Sequence, residues 1–142
     1  MRLNRILMMA GLGIAASAAS AGDTYNITLD GLNFVYEGQS NMDIDLTINV
    51  GDTVEWLWVA GFHNVVSGEQ GEPSEGLLFR SGDPTGAAGT MFSYTFTETG
   101  LVDYHCEIHS GIGMRSQVNV IPAPGALALL APAGLIAVRR RR

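Results

Sequence analysis

The only cysteine of the chain, two of its three histidines and a methionine crowd into "DYHCEIHSGIGM", Asp103 to Met114. Within it runs the spacing Cys106-x-x-His109-x-x-x-x-Met114. A lone cysteine forms no internal disulfide, and a free thiol in an exported chain is a liability unless something occupies it. Copper or zinc coordination would do so. Taken singly these residues mean little, since an isolated cysteine or methionine is usually core filler. Their spacing is what is specific. A site of histidine and cysteine needs a second nitrogen, and the remaining histidine outside this stretch is His63, in "GFHNVVS". The donor set His63, Cys106, His109 and Met114 then offers two imidazoles, a thiolate and a thioether. Two imidazoles and a thiolate in a plane, with a weak axial methionine, make a blue-copper electron-transfer arrangement. The metal would lower the thiol pKa and hold Cys106 as thiolate.

These donors need a scaffold that brings two distant segments together. Ile44, Leu46, Ile48 and Val50 alternate with polar residues, a period of two. After a Gly-Asp turn, "TVEWLWV" (Thr53 to Val59) is rich in β-branched and aromatic residues. Phe92, Tyr94 and Phe96 share a face, as do Val102, Tyr104 and Cys106, and Arg115 to Val120 supplies a last strand with Val118 and Val120 inward. Shorter strands are expected at Tyr25 to Leu29, Phe34 to Tyr36 and His63 to Ser67. No long stretch has helical periodicity. The pattern predicts an all-β fold, a β-sandwich. Ser67 to Gly89 reads as a long surface loop pinned by the island Leu77, Leu78 and Phe79. If Cys106 ends its strand pointing inward, then Asp103, His105 and Glu107 point outward. Gly111 and Gly113 let the following turn fold back, so that one loop presents three donors. In a sandwich, the end of the tryptophan-rich strand can carry His63 to the same pole.

The ends of the chain read differently from its middle. Residues 1–21 carry Arg2 and Arg5, then an apolar run, then small residues to Ala21, the layout of a signal peptide cleaved before Gly22. Residues 121–142, "IPAPGALALLAPAGLIAVRRRR", hold an uncharged run followed by four arginines. About 18 apolar residues are just enough to span a membrane, and the arginines favour a cytoplasmic end. One domain remains, residues 22–120. The formal charge of −6 conceals its balance. All 14 acidic residues fall in this domain, opposed only by Arg80 and Arg115, so it carries about −12. Such a charge excludes nucleic acid and anionic membrane surfaces as natural partners. It suits an exported soluble domain or one that docks on a basic partner.

The ligand stretch resembles the copper loop of the cupredoxins, in particular plastocyanin and its pseudoazurin and halocyanin-like relatives. "VGDTVEWLW", "HNVVS" and "GTMFSYTFTETGLVDYHCEIHSGIGM" resemble the strand before the first histidine ligand, the segment bearing it, and the last strands with the ligand loop. The resemblance covers about 41–120. It implies a Greek-key sandwich, one type 1 copper ion, and His63, Cys106, His109 and Met114 as its ligands. Asn64 matches the residue whose side chain ties the two ligand-bearing segments together. The resemblance also implies an electron exit at the ring edge of His109, within an apolar patch that here includes Gly61, Phe62, Ile112 and Gly113. Redox protein partners, cytochromes or oxidoreductases, would dock there. The sequence departs from the family at His105, where plastocyanins often have an exposed aromatic; His105 is expected to point away from the metal, as a solvated surface histidine or a docking residue, and is excluded as a ligand. It departs again at Ile108, where many relatives have proline, which should alter loop stiffness rather than ligation. The tail resembles the PEP-CTERM sorting signals that exosortase-type enzymes process, although Ile121-Pro122-Ala123-Pro124 lacks the glutamate. It implies membrane anchoring or exosortase processing, and a periplasmic or cell-surface location.

Three functions fit to different degrees. A one-electron carrier cycling between Cu(I) and Cu(II) uses every donor. An exported surface or matrix protein that binds copper for storage, scavenging or structure is the alternative. A multicopper oxidase or nitrite reductase needs additional copper-binding histidines. Here only His105 would be left over, and the local string is His-Cys-Glu, not the His-Cys-His that couples adjacent copper centres. The sequence therefore reads as a non-enzyme.

Overall fold

The computed structural model describes residues 22–124. The signal peptide expected at 1–21 lies outside the described residues, as does the tail expected at 121–142 beyond its first residues. Among the described residues no helix is long and apolar enough to cross a membrane.

Among the described residues nine strands follow in order: β1 (Thr24–Asp30), β2 (Asn33–Tyr36), β3 (Gln39–Asn41), β4 (Leu46–Asn49), β5 (Thr53–Ala60), β6 (Val66–Ser67), β7 (Met91–Thr95), β8 (Gly100–His105) and β9 (Arg115–Ile121). A single 3-10 turn, Ser110–Ile112, interrupts the β8–β9 connection. The strands form two sheets, ordered β3-β2-β1-β5-β7 and β4-β9-β8-β6. From β4 onward the chain crosses between the sheets at β4–β5, β5–β6, β6–β7 and β7–β8, and only the β8–β9 hairpin stays within one sheet. Two pairings are parallel, β1 with β5 and β4 with β9. This is the all-β sandwich that the alternation predicts.

Period-two patterning places the core between the sheets. Val54, Trp56 and Trp58 of β5 are buried, as are Ile27 and Leu29 of β1, and Val118 and Val120 of β9. Trp56 is fully enclosed at the centre. It meets Tyr104 of the opposite sheet edge to face at 5.3 Å, and lies 5.5 Å from Phe79 and 5.8 Å from Phe92. Trp56→Ala should therefore cost about 3–5 kcal/mol of stability, in the range of large buried aromatics. Urea unfolding of the metal-free domain measures it. The Gly-Asp turn before β5 is stapled by Asp52, whose carboxylate accepts the backbone N–H groups of Asn49 (2.7 Å) and Asp23 (2.9 Å).

Several expectations need correction. The apolar island at 77–79 is buried only at Phe79, while Leu77 and Leu78 are exposed. A loop has no period, so three adjacent apolar residues cannot all face one core. His63 to Ser67 is not a continuous strand. Only Val66 and Ser67 pair with β8, and His63 bridges to Thr85 instead.

Candidate metal centre

β5 ends at Ala60, and the chain turns at Gly61 into the segment carrying His63. That segment is held by three hydrogen bonds from two residues. His63 exchanges both backbone hydrogen bonds with Thr85 (2.9 and 2.8 Å), and Trp58 donates its indole N–H to the His63 carbonyl at 2.9 Å. On the other side, β8 ends at His105 and the chain enters the loop from Cys106 to Met114. Cys106 N–H donates to the Met114 carbonyl (3.2 Å), closing the loop at its base. His109 and Ser110 N–H both donate to the Cys106 carbonyl (3.1 and 2.8 Å), and Met114 N–H to the His109 carbonyl (3.2 Å). Gly113, at φ 110°, supplies the left-handed turn that returns the chain to β9. Cys106 and Met114 are both fully buried.

These two segments bring three donors to one point. Cys106 Sγ is 3.7 Å from His63 Nδ1 and 3.5 Å from His109 Nδ1, and the two Nδ1 atoms are 3.3 Å apart. A point equidistant from all three lies about 2.0 Å from each, close to a metal–imidazole bond length. The chemistry fits too. His63 Nε2 faces the Ala60 carbonyl at 3.2 Å, an acceptor only, so the hydrogen sits on Nε2 and the lone pair of Nδ1 points into the triangle. Burial holds the His63 pKa below its ordinary value, and the neighbouring His109 adds to that effect. A neutral imidazole with a free lone pair is what a metal ion requires. Met114 stands at the base of the same loop, where its backbone meets that of Cys106.

Asn64 spans the two segments. Its side-chain N–H groups donate to the Gly82 carbonyl (3.1 Å) and to the Glu107 carboxylate, and its Oδ1 accepts the Glu107 backbone N–H (3.1 Å). Glu107 also accepts from Arg80 Nη1 at 2.6 Å. That guanidinium, with Asn64 in support, holds the Glu107 carboxyl below its ordinary pKa against the opposing effect of partial burial. Gln70 donates to the Glu107 carbonyl at 2.7 Å and accepts from the Ser110 hydroxyl. Glu107, Arg80 and Gln70 escape sequence reasoning. The one available signal was that Arg80 is among the domain's two cations.

His105 is not the solvated surface residue expected. It is only 2% exposed. Residues 68–76 fold across the outer face of β8, where Gly68 N–H donates to the Asp103 carbonyl at 2.7 Å. His105 Nδ1 bonds the Gly68 carbonyl (2.7 Å) and Nε2 faces Glu75 at 3.3 Å. Nδ1 is thus engaged away from the donor triangle, and the buried Nε2 makes no hydrogen bond. Ile108 and Ile112, which flank His109 in the chain, are 49% and 58% exposed, and Phe62, next to His63, is 53% exposed.

Comparison with known proteins agrees with this geometry. The family model "Copper binding proteins, plastocyanin/azurin family" matches residues 37–121. Plastocyanin of Scenedesmus fuscus is 39% identical over 80 residues, covering 53% of this chain and 80% of that protein. Chloroplastic plastocyanin of Oryza sativa subsp. indica is 34% identical over 116 residues, covering 78% of this chain and 73% of the relative. Among solved structures, a purple cupredoxin from Nitrosopumilus maritimus superposes with a TM-score of 0.51 at 25% identity, covering 68% of this chain and 99% of that one. Donor triangle, sandwich and sequence converge: this chain belongs to the plastocyanin/azurin family of copper-binding proteins.

Proposed function

We propose that the protein is a type 1 blue copper protein that carries single electrons between redox partners outside the cytoplasm. His63, Cys106, His109 and Met114 would hold the ion, the first three through the donor triangle and Met114 as a weaker fourth ligand. The observation that carries this reading is the triangle of Cys106 Sγ, His63 Nδ1 and His109 Nδ1, with sides of 3.3 to 3.7 Å. When bound, copper supplies a one-electron Cu(II)/Cu(I) couple. The chain supplies the rest. Backbone bonds from Thr85, Trp58 and the loop itself fix the donors before any ion arrives. Asn64 locks the two ligand segments together. Burial of Cys106 and Met114 excludes water from the sulfur side. His109 is half-buried and lies between the exposed Ile108 and Ile112 in the chain, while Phe62 is exposed next to His63, which suits brief, dry contact with a redox protein. Gly61 of the expected patch is exposed and Gly113 half-buried. The signal peptide at 1–21 delivers the domain across the membrane, and the tail at 121–142 anchors or sorts it.

Copper titration of the domain followed by voltammetry tests the proposal. One equivalent should produce an intense blue colour and a reversible couple. Tight Cu(II) binding without reversible reduction would instead assign the protein to copper storage or scavenging. Met114→Leu checks the axial assignment. Leucine nearly conserves volume, so the fold should lose less than about 1.5 kcal/mol. The colour should persist and the potential should rise, because a weak donor to Cu(II) is gone. An unchanged potential removes Met114 from the ligand set.

A further inference from the structure

Residues 22–124 contain 14 acidic side chains but only two arginines and no lysine. Both arginines are spent on the same short loop. Arg80 Nη1 donates to Glu107, the residue after Cys106, at 2.6 Å. Arg115 Nη2 donates to the carbonyl of Ser110, the residue after His109, at 3.0 Å. Arg80 is seated as well as paired. Its guanidinium lies over Gly76, where an added Cβ would stand 3.2 Å from Nε and Nη2, and its Nη2 is 3.9 Å from Glu75. From Glu107 the contacts continue through Asn64 to the His63 segment.

We propose that Arg80 and Arg115 are positioning residues that also set the charge at the metal centre, holding its reduction potential up in an otherwise strongly acidic domain. The inference rests on the copper reading above and adds to it the two residues that tune the site. A cation near the metal favours the reduced state, which carries one positive charge fewer. Loss of Arg80 would leave the Glu107 carboxylate uncompensated beside the ligands, favouring the oxidised state. The interaction is partly exposed, so salt screens it. Geometry and charge separate cleanly. Lysine at position 80 keeps the charge but loses the planar fork that reaches Glu107 and Glu75 together.

The test uses the copper-loaded domain at low and high salt, reading reduction potential and rate of copper loss to a chelator. R80Q should shift the potential downward, with a smaller shift at high salt. E107Q should shift it upward, and R80Q/E107Q should return it near the wild-type value. R115Q should shift it downward independently. R80K should keep the potential yet lose copper measurably faster, because the planar fork that braces Glu107 is gone. If R80Q fails to fold, E107Q and R115Q carry the same test from the other side. A blue wild-type protein whose potential is unmoved in R80Q, or in E107Q and R115Q, overturns this inference alone. A wild-type protein that never turns blue overturns the copper reading beneath it.

Discussion

Cys106→Ser is expected to abolish the intense visible absorption of the copper-loaded protein and to weaken copper binding far beyond the tenfold to hundredfold cost of losing an outer partner. Sulfur in the triangle is the soft, strongly donating ligand that stabilises Cu(I). A serine hydroxyl is a hard, poor donor with a pKa far above the working range. The two Nδ1 atoms would remain 3.3 Å apart, able to bind an ion weakly but not to give a thiolate charge-transfer band. The fold should survive, because Cys106 and serine differ little in size and the loop is closed by backbone bonds. Visible spectra during copper titration, alongside circular dichroism of the metal-free variant, provide the check. Retained blue colour would eliminate the ligand assignment.

Gly61→Ala should damage the same site without replacing a ligand. Gly61 has φ 99°, a region that L side chains rarely adopt, so strain alone should cost about 1–3 kcal/mol. The larger effect is steric. A Cβ there would stand 2.2 Å from His63 Nε2 and 2.6 Å from the Gly31 carbonyl. Something must move, and the imidazole is the lighter obstacle. Tilting it would break its contact with the Ala60 carbonyl and carry Nδ1 out of the triangle. Copper affinity should fall by at least about tenfold, with a distorted spectrum rather than a lost one. A variant with wild-type affinity and spectrum would show that the turn relaxes without disturbing His63.

Much of this was legible in the residues because it is periodic or contiguous. Cys106, His109 and Met114 lie on one loop whose backbone closes on itself, so their spacing nearly determines their meeting. His63 was found by elimination, as the remaining histidine, just past the tryptophan-rich strand. What escaped is aperiodic. β3 is exposed at all three positions and offers no apolar alternation. His105 was read from strand alternation alone, which says which face a residue takes but not what later covers that face. The cover is the loop carrying Gly68, Gln70, Glu75 and Arg80, whose position is fixed by polar contacts to residues distant in sequence. No local pattern announces such contacts.

β9 lies between β4 and β8, and its parallel pairing to β4 joins Leu46 to Val118 and Ile48 to Val120. Parallel pairing of segments so far apart along the chain makes assembly slow, since much of the chain must be ordered before its contacts stabilise it. A nascent chain that had emerged only as far as the copper loop would hold every donor but lack the strand that seats them. An ion can therefore be seated only after β9 has paired with both of its neighbours, late in the folding of the chain.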